Sequence, residues 1–488
     1  AGPPRPPARR AGAMAGDLGG PLNVESPAGG EGGALAEEPA VRAASVVRDI
    51  LKLALPNILG YVLTLLNELT NTVFLGHTGN EAALAAMGLG NMMQNCFGLS
   101  IGMGIASALD TLVSQAHGAQ QHRLSCHYLQ RCRLLVTVQL FWMVPLLYFS
   151  ENWLRGLHQD PEVARYAGSY NQATVWGLFA IIQFEANKKF LQNQCFATAP
   201  AVICGVCSVL HVAWCALFVV HFDLGTAGAG WANVVTWWLE FLSSCAYLGC
   251  KARSMGFQRS DVLSIQRPGF LAWGAYMKVA VPATIQMCCE WWFWELCALV
   301  VGYMGDVALA AHVSTLNFVA VSFMPAIGMS ISTATLVGNA LGANQPKRAK
   351  MTCWLCVLCN LAVWCAVAVG TVMARVPLAE AYTSVASVQT VMQRLLCIFA
   401  VTGFFDTSQN VMGGALRGLG RQLPAAAAYV VAFYGIMLPV GCVMGFSLKL
   451  GVYGIWYAFI VGTSLVFVVF LVLLLRTNWA RLALEALA

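Results

Sequence analysis

The chain has 488 residues, of which 58% are hydrophobic and only 10% charged, with a formal net charge of +6 and a mean hydropathy of +0.66. A soluble domain carries roughly a quarter charged residues, so these values exclude a soluble globular protein and leave an integral membrane protein. The apolar runs are helical in length, which excludes an outer-membrane barrel of ~10-residue alternating strands, and the positive balance reads through membrane topology, with no nucleic-acid partner expected.

Residues 1–44 are rich in Gly, Pro and Ala. They show no apolar periodicity and no apolar core of the kind a signal peptide needs, so a disordered cytosolic tail is expected there. Beyond it, at about 20 residues per crossing, the sequence predicts spans at 49–75, 82–107, 133–150, 166–187, 196–221, 226–249, 273–302, 307–334, 351–374, 389–412, 424–447 and 452–475. Twelve spans put both termini on one side. Basic residues decide which side: Arg123, Arg131, Arg133, Lys188, Lys189, Lys251, Arg253, Arg259, Arg267, Lys347, Arg348, Lys350, Arg417 and Arg421 fall on one set of alternate connections. The other set holds Arg155, Arg165, Arg375, Arg394 and Lys449. Basic loops face the cytosol, so both termini are expected there.

The two halves repeat each other. "TLVSQAHGAQQ" from Thr111 aligns with "TLVGNALGANQ" from Thr335, "ALAA" at Ala83 with the same run at Ala308, and "LGTAGAGWA" from Leu224 with "LGVYGIWYA" from Leu450, all at an offset of 224 to 226 residues. Six spans have been duplicated, and because six is even the copies are related by an axis along the membrane normal, as in several secondary transporters. The expected fold is therefore all-α, with twelve transmembrane helices in two pseudo-symmetric six-helix bundles. The first lobe covers 45–250, a cytosolic linker 251–270 and the second lobe 271–488. A binding site is expected between the lobes.

Eighteen cysteines lie mainly in the apolar runs and read as small buried hydrophobes. Cys204 and Cys207, and Cys356 and Cys359, have CxxC spacing inside spans, without the second pair of ligands that a zinc site requires. No metal or other cofactor is expected. No HExxH, GxSxG or P-loop pattern occurs, and lone residues such as His312 are more often packed than catalytic, so the chain is not read as an enzyme.

Six acids stand inside spans, where an ionisable group costs roughly 2.5–3.5 kcal/mol and by default faces a cavity or a partner. Glu185 precedes Lys188 and Lys189 by three and four residues, the spacing of a same-face ion pair. Glu68 and Glu240 have no cation at that spacing, and each stays open between a coupling role and a polar contact with a neighbouring helix. Glu290 and Glu295 lie in "CCEWWFWEL". Glu290 is at the middle of its span, where burial disfavours a permanent charge. A carboxylate that gains and loses a proton as access alternates is a proton carrier, and when ionised a counter-ion for a cation. Glu295 is about 140° further round the helix, so the two cannot share one narrow face. Trp291 and Trp294 could present ring faces to an organic cation, and a further lining position of the same cavity is expected at Met287. Asp406 repeats the position of Glu185, as "FD" against "FE", yet has no basic residue three or four places away.

These residues resemble the multidrug and toxic compound extrusion (MATE) family over residues 45 to 480. The matches are "FLGHTG" from Phe74, "ALDTLVSQAHGA" from Ala108, "CCEWWFWEL" from Cys288, "VGNALGA" from Val337 and "GGALRGLGRQ" from Gly413. The Glu-Trp-Trp-x-x-Glu pattern is similar to the eukaryotic, proton-coupled branch. The resemblance implies a secondary antiporter exporting organic, chiefly cationic, compounds or xenobiotics in exchange for protons rather than sodium. Glu290, Glu295 and Asp406 would be its proton-coupling and substrate-binding acids. Two positions depart from the family pattern: Asn317, a further candidate to line the substrate site, stands where mammalian members carry Glu, and Asn71 where some prokaryotic members carry Asp. The resemblance further implies a monomer in the plasma membrane or a vacuolar or other endomembrane. A lipid-linked precursor flippase of the same superfamily and an exporter of citrate-like organic anions are the alternative readings.

Overall fold

The structure is a computed structural model that describes residues 42–486. Most of the predicted disordered tail therefore lies outside the described residues, and Ala43 and Ala44 already belong to the first helix. The described residues form helices and short connections, with no strand among them. Twelve long helical columns alternate in direction: α1 (Ala43–Gly76), α2 (Glu81–Gly118), α3 (His122–Tyr148), α4 (161–193), α5 (Thr198–His221), α6 (225–251), α7 (Trp273–Gly302), α8 (Asp306–Gly342), α9 (Pro346–Met373), α10 (Ala386–Gly418), α11 (Gln422–Ser447) and α12 (Val452–Leu475). The chain is an all-α membrane protein of twelve transmembrane helices.

Each predicted span has a column, and the bounds differ most at α3. Its expected start at 133 moves back to His122 because Arg131 and Arg133, read as loop charges, lie inside the helix and are buried. Their guanidinium groups donate to the carbonyls of Pro268 and Val262 in the connection between α6 and α7. That connection carries a short helix, Arg259–Leu263, and is fastened to α3 by the bond from Gln130 Nε2 to the Asp261 carbonyl at 2.7 Å. Val262 is fully buried by this packing.

The end of the bundle where most of the basic connections lie, here called the basic end, is also where the two halves of the chain interlock. Gly118 and Gly342 occupy equivalent places in the repeat. A Cβ on Gly118 would overlap the Asn339 carbonyl oxygen, and one on Gly342 would overlap that of Gln115. Only a residue without a side chain permits backbones this close, so the repeated "QAHG" and "NALG" segments meet reciprocally about the pseudo-two-fold axis. Polar bonds reinforce the seam. Asn57 Nδ2 donates to Ser332 Oγ at 3.0 Å, Gln115 Nε2 to the Gly418 carbonyl at 2.9 Å, and Thr335 Oγ1 to Asn193 Oδ1 at 3.0 Å.

Towards the other end the halves diverge. Glu68 lies within about 20° of Asn57 around α1, and Asn317 within about 20° of Gly328 around α8. Asn57 and Gly328 are buried in the seam, Gly328 against Ile58. Glu68 and Asn317, further along the same stripes, are exposed. The interface is thus a wedge, closed at the basic end and open at the opposite one.

Candidate functional site

Three helices of the second half converge on a buried acidic cluster. Asp406 of α10 is 5% exposed. Gln409, one turn further on, donates from Nε2 to Asp406 Oδ1 at 3.0 Å. Gln409 Oε1 in turn accepts from Tyr429 Oη of α11 at 2.6 Å. The amide thus has its orientation fixed at both ends, with its donor aimed at the carboxylate. Glu290 of α7 faces this cluster, and the charged side chains close enough to act on it are Asp406 and Arg417. Tyr429 feels both acids and Arg417.

Gln286, one turn before Glu290 and buried, has an Oε1 with no hydrogen-bond partner among the described residues. Its Nε2 faces Gly413 of α10, where a Cβ would sit 3.6 Å away. A buried acceptor left unsatisfied costs about 1–3 kcal/mol, so Gln286 offers an open acceptor one turn before Glu290.

Glu290 and Glu295 part company as their spacing on the helix requires. Glu290 turns into the second half, whereas Glu295 turns towards Cys96 of α2 in the first half and acts on its thiol. At that depth α2 passes through a π-helical turn, Asn95–Leu99, of the kind common at functional sites. The Cys96 carbonyl there accepts a 2.8 Å bond from Trp292 Nε1, which ties α7 to α2 across the interface.

The aromatic residues divide similarly. Phe293 is buried against Phe433, Tyr434 and Phe459. Trp294 packs edge-on against Phe459 at 5.0 Å, which commits one of the rings expected to meet a cation to packing within the lobe. Trp291 and Met287 are half-buried on α7. Of the residues just before Glu290, the one with a polar group to offer is therefore Gln286, one place earlier than the lining position expected at 287. Asn317 lies on the open part of the wedge and not in the acidic cluster.

The first half has its own buried charges. Lys188 Nζ meets Glu185 Oε1 at 2.5 Å and sits over the Tyr61 ring at 4.8 Å. Lys189, the other lysine of the predicted pair, turns away to Asp110 Oδ2 at 2.9 Å. Glu240 of α6, which has no cation at helical spacing, lies in the field of Lys188 from α4. Glu68 faces the wedge near Tyr170. Asn71 belongs to a neutral network, donating to Asn233 Oδ1 at 2.9 Å and bonded to His211 Nε2 at 3.2 Å.

Sequence reasoning missed Gln286, Gln409, Tyr429 and the reach of Arg417. One signal was available: Gln409 follows Asp406 by three residues, as Lys188 follows Glu185, so the repeat itself marks the position.

Comparison with known proteins agrees with this architecture. The family model described as MatE matches residues 56–217 and 282–443, one match in each half. Multidrug and toxin extrusion protein 2 of Mus musculus is 32% identical over 457 residues, covering 93% of this chain and 78% of that protein. Multidrug and toxin extrusion protein 1 of Homo sapiens is 28% identical, over 90% of this chain and 76% of its own length. Among solved structures, the eukaryotic MATE transporter AtDTX14 superposes with a TM-score of 0.84 at 22% identity, covering 91% of this chain and 99% of that one.

Proposed function

Because the chain belongs to the MATE family of efflux transporters, we propose that it exports small organic cations in exchange for protons, through the acidic cavity of its second lobe. In this reading the basic end is cytosolic, with both termini on that side. Glu290 and Asp406 are the groups that alternate between a proton and a substrate cation, and Glu295, across the helix, lines the route between the lobes. The observation that carries it is the pairing of Glu290 with Asp406 around Gln409 and Tyr429. Buried Asp406, whose hydrogen-bond donor is the neutral Gln409, and half-buried Glu290 beside it favour a positive charge that reaches them. The unsatisfied Gln286 Oε1 adds an acceptor for an N–H of the substrate. Glu68 and Glu240 are secondary acids, the first facing the wedge and the second held beside Lys188.

The test is accumulation of a fluorescent organic cation in proteoliposomes under an imposed pH gradient, with and without sodium, for the wild type and Glu290→Gln. The expected result is gradient-driven accumulation indifferent to sodium and lost in the variant. Undiminished accumulation by Glu290→Gln would overturn its role. A requirement for sodium would replace the coupling ion, and inactivity of the wild type towards cations would direct attention to organic anions and to Asn317.

A further inference from the structure

Arg417 belongs to two places at once. It ends α10 of the second lobe, within reach of the acidic cluster, where it acts on Glu290 and on Tyr429. Its Nε also lies 3.5 Å from Oδ2 of Asp110 in the first lobe, and its Nη2 donates to Ser330 Oγ of α8 at 2.9 Å. The Arg417 carbonyl accepts from Thr111 Oγ1 of α2, so the residue sits in the seam that closes the basic end. Asp110 is fully buried and holds two firmer partners of its own lobe, Lys189 Nζ at 2.9 Å and Asn193 Nδ2 at 3.1 Å. Arg417 can therefore leave Asp110 without stranding a buried charge. Nε makes no hydrogen bond, and Nη1 lies 4.0 Å from where a Cβ on Gly413 would stand, a point that Gln286 Nε2, one turn before Glu290, approaches to 3.6 Å.

We propose that Arg417 couples the occupancy of the acidic site to closure of the basic end: ionised Glu290 competes with Asp110 for its guanidinium, Asp406 acting only through Glu290, and a proton or cation at the site returns it to Asp110. The inference rests on the proton-exchange reading above and adds to it the residue through which the two lobes sense the proton. Among the described residues, the side chains that α9 and α12 bring against α10 between Ala400 and Gly413 are uncharged. From α9 come Asn360 and Trp364, bonded to Thr407 and the Ala400 carbonyl, and from α12 Phe470, next to Gly413. Coulomb's law then fixes the sign. Acid conditions neutralise the cavity, leave Asp110 as the partner of Arg417 and hold the basic end shut. By linkage the cavity binds protons more tightly when that end is closed, and releases them when it opens.

Cys195 provides a native reporter. It is exposed, sits in the connection between α4 and α5, and its Sγ accepts from Asn339 Nδ2 of the other lobe at 3.2 Å across the same seam. Peptide-resolved alkylation of the purified full-length protein by N-ethylmaleimide would be followed from pH 5.5 to 7.5. The Cys195 rate would be divided by that of exposed Cys250, to cancel the reagent's own pH response. In the wild type this ratio is expected to rise with pH by about fivefold or more, the lower end of ordinary coupling between sites.

Arg417→Gln and Glu290→Gln with Asp406→Asn are expected to flatten the rise, and Arg417→Lys, which keeps the charge, to restore most of it. A flat wild-type ratio, or an unchanged slope in Arg417→Gln, would overturn the proposal. The wild-type and acid-variant measurements decide the matter even if the arginine variants fail to fold. The two readings fail separately: proton-driven uptake abolished by Glu290→Gln, together with an Arg417-independent slope, would sink the coupling role of Arg417 alone. Absence of proton-driven uptake in the wild type would instead remove the exchange reading beneath it.

Discussion

The two lobes descend from one repeat, yet they treat a buried acid in opposite ways. Phe184–Glu185 in the first lobe corresponds to Phe405–Asp406 in the second, and three residues on Lys188 corresponds to Gln409. Both partners donate to the acid, Lys188 Nζ at 2.5 Å and Gln409 Nε2 at 3.0 Å. The lysine brings a full compensating charge and the amide brings none. A buried acid with its own cation on the same helix is a structural ion pair. An acid offered only a neutral donor stays available to a proton or a passing cation. On the proposed reading, the difference between scaffold and machinery is one side chain at one repeat position.

The largest effect is expected where the first lobe's pair is broken. Lys188→Met would leave Glu185 and Glu240 without the cation between them. Removing one partner of a buried pair costs about 3–5 kcal/mol, so the thermal midpoint in detergent should fall sharply, and adding Glu185→Gln should recover most of the loss. An unchanged midpoint in the single variant would erase the contrast between the lobes. The converse experiment gives the second lobe what the first has. Gln409→Lys should pin Asp406 in an ion pair, leave the thermal midpoint near that of the wild type and reduce proton-driven transport by about a hundredfold, the lower end of what a positioned proton-transfer group supplies. Active Gln409→Lys protein would show that Asp406 need not exchange its charge.

Much of this was legible from the chain. Nine of the twelve columns are long and apolar enough to cross a membrane by length and composition alone, among the described residues, and Glu290 and Asp406 stand out because a carboxylate in an apolar run demands a reason. Less legible was everything that depends on which helices meet. Lys188 serves Glu240 from another column, and helical spacing cannot disclose that. Arg417 counted as a loop charge, and its reach towards both Asp110 and Glu290 appears only once α10 is set against α2 and α7. Arg131 and Arg133, counted among the loop charges, put the expected start of α3 too late. The connection between α6 and α7 supplies backbone carbonyls to both. Tyr429 and Gln286 carry no charge, and in an apolar span nothing in their type separates a polar brace from ordinary packing.

The smallest effect sharpens the comparison most finely, because each lobe places one tyrosine beside its acid. Tyr61 works through its ring face, 4.8 Å below the Lys188 ammonium, whereas Tyr429 works through its hydroxyl, 2.6 Å from Gln409 Oε1. Removing the hydroxyl should therefore matter in one lobe only. Tyr61→Phe keeps the face that the cation meets and should leave stability and transport as they were. Tyr429→Phe keeps the ring contacts with Phe433 and Phe470 but frees the far end of the Gln409 amide, at a cost of about 0.5–1.5 kcal/mol for a lost hydrogen bond. With its carbonyl unheld, the amide can swing its donor away from Asp406, so transport should fall several-fold although neither carboxylate has been touched. Lys188 needs no such brace, since its charge alone directs it to Glu185. Equal losses in the two phenylalanine variants, read by transport and thermal midpoint together, would mean that ring packing and not the hydroxyl relay orders the second lobe's acid.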